Sequence, residues 1–301
     1  HGGHFGPNFG MVEATVALHT VFDSPRDHIV YDVSHQTYPH KMLTGRKEAF
    51  VDQAHYDDVS PYTDPAETPH DLFKIGHTST SISLALGLAK ARDLRGGHEN
   101  IIAVIGDGSM SGGEALEGLN VAGELDSNFI IVFNDNQRSI AENHGGMYDQ
   151  FRELRESNGA APNNLFKSMG LDYLYVNEGN NTEALIAAFK QVKDSNHPVV
   201  VHINTLKGKG YEPALKDEEA WHWHGPFDIT TGQSLSDGPA PESYANLAGE
   251  YLLKRAETDE NLLVIASAVP GALGMSPERR KRLGRHYLDV GIAEETAVAI
   301  A

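Results

Sequence analysis

The chain has 301 residues, 40% of them hydrophobic and 22% charged, which is ordinary globular composition and enough for one large or two modest domains. Its 42 acidic and 24 basic side chains leave a formal charge of −18, which argues against a nucleic acid or an anionic membrane as partner but allows a local basic pocket for a phosphorylated substrate. Cysteine is absent, so disulfides, thiolate catalysis and cysteine-held metals are excluded together, and no apolar run approaches the roughly 18 residues of a membrane span.

Such a composition suits a cytoplasmic enzyme. The chain opens on His1 without a signal-peptide pattern and stops inside an apolar stretch, so both ends are expected to be trimmed. Residues 1–10, HGGHFGPNFG, read as a glycine-rich loop in which His4 either faces a ligand or rides a flexible segment. The apolar spacing from Met11 to Phe22 predicts a helix, and His28 to Val33 predicts a strand. His35 and His40 follow that strand, at the edge where a doubly wound sheet collects its chemistry. Pro61, Pro65 and Pro69 break residues 51–70 into a long surface loop. Gly76-His77-Thr78-Ser79-Thr80 opens a helix from about Ser81 to Arg92. Its hydroxyls read first as caps, and free N–H groups there would also suit a diphosphate.

The stretch from Ile101 to Ser139 reads as strand, turn, helix, strand, turn. Ile101–Ile105 and Phe129–Phe133 are unbroken apolar runs of the kind a strand buried on both faces shows. Between them Ala115, Leu116, Leu119, Ala122 and Leu125 make one apolar helical face, so the two strands run parallel and end on the same sheet edge. Gly106-Asp107-Gly108-Ser109 sits at the first end and Asn134-Asp135-Asn136 at the second. Asp107 offers a hard carboxylate oxygen and Asn136 an amide oxygen. With a loop carbonyl they make half a shell for an octahedral magnesium that completes its coordination on a diphosphate. A glycine-flanked aspartate alone is also a common turn; the pair of motifs across one crossover is far more specific.

Residues 139–164 are polar and predict a mobile excursion with a short helix around Tyr148–Glu156. Helix, strand and helix follow at Asn164–Met169, Leu171–Val176 and Thr182–Lys193, then a third buried strand at Pro198–Ile203. Lys207 and Lys209 in KGKGYEPA are either a plain basic turn or local positive charge at the ligand edge, and WHWHGPF, with His222, either lids the site or packs a loop down. Residues 230–242 have linker composition. The expected organisation is therefore a diphosphate- and magnesium-binding domain over 1–229, a linker over 230–242, and the beginning of a pyrimidine-binding domain over 243–301. In that last part the sequence predicts helix Ser243–Glu257, strand Leu262–Ser267, helix Pro277–Leu283, strand Tyr287–Val290 and a final helix from Ala293. The fold class is α/β, a doubly wound, mostly parallel sheet with helices on both faces, plus the start of a second α/β domain.

The segments HFGPNFG, DVSHQTYPHKMLTGR, GHTSTSIS, GDGSMSGGEALEGLN, NDNQRSIAEN, KGKGYEPA and DVGIAEE together resemble the 1-deoxy-D-xylulose 5-phosphate synthase family of transketolase-like enzymes. The resemblance implies a homodimer that uses thiamine diphosphate and magnesium to join pyruvate to glyceraldehyde 3-phosphate with loss of carbon dioxide. Carried over by position, Asp107, Asn136 and the main-chain carbonyl of Arg138 would hold the metal. His35, Gly76, His77, Thr78, Gly108, Ser109, Asn136 and Tyr211 would line the cofactor. Glu294 would touch the pyrimidine and favour the tautomer that lets the cofactor act as its own base, and His4, His35 and His222 would surround the substrate. The chain departs from the family pattern in having Arg138 for a methionine, Glu295-Thr296 for Gln-His, and a shorter excursion after Asn143. A ketol-transferring transketolase and a cofactor-binding relative without turnover are the alternatives.

Overall fold

The computed structural model describes residues 2–235 and 242–301. Five parallel strands, β1 (His28–Tyr31), β2 (Ile101–Gly106), β3 (Phe129–Asp135), β4 (Asp172–Val176) and β5 (Pro198–Asn204), form a sheet in the order β1-β2-β3-β5-β4. Successive strand residues point to opposite faces. Ile101, Ala103 and Ile105 of β2 accordingly join one apolar layer with Ile82, Leu119 and Phe151, while Ile102 and Val104 join another with Leu18, Leu185 and Phe189. The Ser81–Arg95, Gly113–Ala122 and Met147–Glu156 helices cover the first face, and the Val12–Val21 and Thr182–Val192 helices cover the second. This is the doubly wound α/β sheet that the apolar runs imply. All seven residues of β3 are buried, which is why its sequence shows no polar alternation.

Two segments depart from expectation. Within the opening segment, Phe5–Gly10 form a helix rather than a flexible loop. A Cβ on Gly6 would come within 2.8 Å of the Trp221 carbonyl oxygen, so that glycine serves close packing. Asn8 locks the segment: its amide donates to the carbonyls of His4 and His35, both at 2.7 Å, and its oxygen accepts the Tyr38 N–H at 2.8 Å. Residues 139–164 are a packed part of the body, because Phe151 and Leu154 are wholly buried and Phe151 stacks on Phe166 with centroids 5.9 Å apart. The surface loop over 51–70 is anchored by Glu67, which accepts from Lys41 at 2.5 Å and Arg46 at 2.7 Å.

Beyond residue 242, β6 (Val264–Ala266) and β7 (Tyr287–Asp289) form a separate parallel pair flanked by the Tyr244–Ala256 and Pro277–Leu283 helices. Their core is small: Leu253, Val264, Met275 and Leu283. The expected linker, 230–242, falls partly on residues 236–241, outside the described residues.

Candidate functional site

The neighbouring ends of β2 and β3 create the site. Gly106 pairs with Asn134, and the Asp107 N–H donates to the Asn134 carbonyl at 3.0 Å, so Asp107 and Asn136 leave the sheet on the same edge. A cavity of about 260 Å³ opens there. Asp107, Gly108, Ser109, Asn136 and Arg138 line it from the strand ends, and Thr78 from the loop before the Ser81–Arg95 helix. His4, His35 and His222 line it from three further segments, and Glu294 reaches it from the second unit. Gly76 and His77 are exposed outside the lining, with the His77 ring turned to the Thr78 carbonyl at 2.9 Å. Tyr211 is also outside it, packed in an aromatic group with Phe9 and Trp221 while its hydroxyl donates to the Ile229 carbonyl at 3.0 Å.

Asp107 is completely buried, and its oxygens accept the Gly108 N–H and the Asn143 amide, both at 2.9 Å. Both donors are neutral. Desolvation, and then the nearby Asp135 charge, push the Asp107 carboxyl well above the usual carboxylate range. Asn136 turns its amide oxygen onto the Arg138 N–H at 3.0 Å, which closes the loop after β3. Gly108 permits the close approach of that loop, since a Cβ there would lie 2.7 Å from Ser139 Cβ.

The three histidines form a compact group with ring centroids 5.1 to 5.6 Å apart. Burial lowers all three, His35 to about 3 and His222 to about 2, so they are neutral imidazoles near pH 7. Lys207, read from the sequence only as local positive charge, is buried beside them. Its ammonium donates to the Ser139 carbonyl at 2.6 Å and contacts His222 Nδ1 at 3.2 Å, and desolvation lowers it to about 8. Nδ1 of His4, Nδ1 of His35 and Oδ1 of Asn143 are buried without a hydrogen-bond partner among the described residues.

Asp32 went unnoticed in the sequence. It lines the cavity, and its two oxygens accept the Ser79 and Ser81 N–H groups at 2.9 Å each, capping the helix start across 49 positions of chain. Neither Thr80 nor Ser81 caps the helix with its own hydroxyl. The expectation of free amides at that helix start is thus corrected for Ser79 and Ser81. The only signal was an aspartate directly after a buried strand. Backbone strain also gathers here: Val33, Ser34, Ser79, Gln137 and Ala268 have φ between 57° and 72°, a region unfavourable for side chains with a Cβ. Arg138 meets Glu218 at 2.7 Å and Glu142 at 3.4 Å, while Glu294 is exposed at the cavity.

Comparison with known proteins gives a consistent result. The family model described as 1-deoxy-D-xylulose-5-phosphate synthase matches residues 1–161 and 155–205. The chain is 41% identical to 1-deoxy-D-xylulose-5-phosphate synthase 1 of Geobacter sulfurreducens, over 100% of this chain and 53% of that protein. It is also 41% identical to the synthase of Desulfitobacterium hafniense strain DCB-2, again over 100% of this chain and 53% of the relative. The chain therefore spans about half the length of the curated relatives it matches. Among solved structures, a transketolase variant from Pichia stipitis superposes with TM-score 0.54 at 21% identity, covering 70% of this chain and 34% of that one. At that identity the likeness establishes the fold.

Proposed function

This chain belongs to the 1-deoxy-D-xylulose-5-phosphate synthase family, and we propose that it carries the diphosphate- and metal-binding half of a thiamine diphosphate enzyme that condenses pyruvate with glyceraldehyde 3-phosphate. The observation that carries the reading is the Asp107–Asn136 edge: a fully buried carboxylate with only neutral partners, beside an amide oxygen, at the end of two parallel strands. Among the described residues no group of three His, Cys, Asp or Glu side chains could hold a metal. A cation here would draw on Asp107, the Asn136 amide oxygen and the Arg138 carbonyl. Such a hard, mixed oxygen set with positions left for phosphate oxygens suits magnesium. A magnesium–diphosphate pair also answers the raised Asp107 carboxyl, because a cation restores the charged form that burial disfavours.

Thiamine diphosphate, when bound, supplies an electron-accepting centre at which a 2-oxo acid can lose carbon dioxide. Around it, this chain's own residues bind, orient and hold protons. Lys207 adds positive charge at the diphosphate edge. His4, His35 and His222 are neutral at physiological pH, so each ring can donate from one nitrogen and accept at the other as substrate hydroxyls and carbonyls exchange protons. Glu294, at the start of the Glu294–Ile300 helix, faces the same cavity and is assigned to the pyrimidine. Gly76, His77 and Tyr211 are assigned to the cofactor by the resemblance alone, since they lie outside the cavity lining. The division into 1–229, a 230–242 linker and a pyrimidine-binding part from 243 belongs to this reading, as does a cytoplasmic homodimer. Among the described residues no helix is long and apolar enough to cross a membrane.

Calorimetry with thiamine diphosphate and magnesium tests the proposal. Asp107→Ala should abolish magnesium-dependent binding, a loss of about 100-fold or more, since water cannot replace the carboxylate charge. Unchanged affinity would remove the metal assignment. Release of labelled carbon dioxide from pyruvate separates this reaction from ketol transfer.

A further inference from the structure

Asp135 lies between Asn134 and Asn136 and is 1% exposed. Its Oδ2 accepts from Arg155 at 2.5 Å and from His202 Nε2 at 3.0 Å, and its Oδ1 accepts the Gln137 N–H at 3.3 Å. With Nε2 of His202 donating, Nδ1 accepts the Tyr173 hydroxyl at 2.7 Å. Two elements thus bind the carboxylate directly, Arg155 from the Met147–Glu156 helix and His202 from β5, and Tyr173 from β4 backs His202. None of the three lines the cavity.

The other end of the network is the turn after β3. Gln137 has φ of 65°, a conformation that a residue with a side chain keeps only where its surroundings hold it. Asp135 Oδ1 binds that residue's N–H, and Asn136 Oδ1 binds the next, of Arg138, at 3.0 Å. A buried ion pair is weak grounds for a stabilising role, because a well-packed apolar replacement often does as well. What an apolar replacement cannot supply is a directed acceptor for the Gln137 N–H.

We infer that Arg155, His202 and Tyr173 are positioning residues that act through Asp135 to fix the 136–138 turn, so that the Asn136 side-chain oxygen and the Arg138 carbonyl are presented together to a cation. This rests on the reading of that turn as cation-binding. It also gives the helix of residues 147–156 a second tie to the site, beside the Tyr148 hydroxyl that donates to the Asp107 carbonyl at 3.2 Å, although none of its residues lines the cavity.

The test pairs a ligand-free readout with a binding readout on the whole chain. In Arg155→Met, amide exchange across 136–138 should accelerate, and the magnesium dissociation constant at fixed thiamine diphosphate should rise about 10-fold or more, the usual penalty for losing an outer partner of a metal ligand. Arg155→Lys retains a charged donor and should recover most of both effects. Tyr173→Phe, at the far end of the network, should give a smaller change in both with little change in melting temperature, and it serves if Arg155→Met does not fold. Parent-like exchange and affinity in Arg155→Met, or in Tyr173→Phe if Arg155→Met does not fold, overturn the inference. So does an affinity loss that Arg155→Lys fails to recover despite a restored melting temperature. If the parent chain binds no magnesium, the cofactor reading fails by itself, and the exchange measurement still decides whether Arg155 orders the turn.

Discussion

The five-stranded sheet and the β6–β7 pair both reach the cavity, but they hold their residues by different means. Behind Asp107 and Asn136 stand strands of up to seven residues, buried on both faces between two apolar layers. Behind Ser267, Ala268, Val269, Ile292 and Glu294 stand two strands of three residues and a core of four buried side chains. The second unit is tied to the first by contacts that include Arg280–Glu219 at 3.1 Å and Ser111 Oγ to the Ile292 carbonyl at 3.4 Å. Its final helix also leaves Val298 78% exposed. Precise placement of a charged ligand needs a stiff support, and only the large sheet provides one; the small unit contributes groups whose position depends on a few polar ties.

Substitutions can break that contrast at either end. Phe151→Ala should be the most damaging, at about 3–5 kcal/mol, because it empties a wholly buried site between the excursion helix and β3. Denaturant melts read it. A loss below about 1 kcal/mol would mean the excursion helix is not part of the sheet's core after all.

Acid should weaken the first unit next. His35 and His222 are held neutral with folded values of about 3 and about 2, whereas unfolded histidine protonates near 6.5. Their contribution is therefore complete above about pH 6.5 and is lost as pH falls below it. The two protons these rings take up on unfolding contribute about 2.7 kcal/mol per pH unit below about pH 6, beside the contribution of other histidines that burial also lowers, among them His4, His19 and His202. Unfolding free energy from denaturant melts between pH 7 and 4.5 should fall with pH, and a His35→Gln, His222→Gln double variant should make that fall shallower by about this amount. An equally steep double variant would place the acid sensitivity elsewhere.

Leu283→Ala removes one of the four buried side chains of the small core, with an expected cost of about 2 kcal/mol. The loss should be local: hydrogen exchange should rise in 264–289 and stay at parent level in 101–135. Equal acceleration in both would show one cooperative unit and erase the comparison. The mildest change is Arg280→Met, worth less than about 1 kcal/mol because the pair is partly exposed. It should still loosen the tie to the segment carrying Trp221 and Trp223, seen as increased quenching of tryptophan fluorescence. High salt on the parent should reproduce the effect. Salt-independent quenching in the parent would rule out the ion pair as the fastening.

Much of this architecture is local and was legible as such. Strands buried on both faces must be apolar at every position, helices packed on one face must repeat their apolar residues at three and four, and a ligand edge after a parallel strand tolerates glycine, aspartate and asparagine. These rules locate β1 to β5, the crossover helix and the Asp107–Asn136 edge from the order of residues alone. The tertiary structure decided which groups are buried and who their partners are. Asp32 caps a helix 49 positions away, Arg155 neutralises an aspartate 20 positions back, Lys207 is enclosed rather than exposed, and Gly6 and Gly10 admit neighbouring backbone instead of granting motion. None of these leaves a periodic trace, because each depends on the meeting in space of segments whose separation along the chain carries no information about contact.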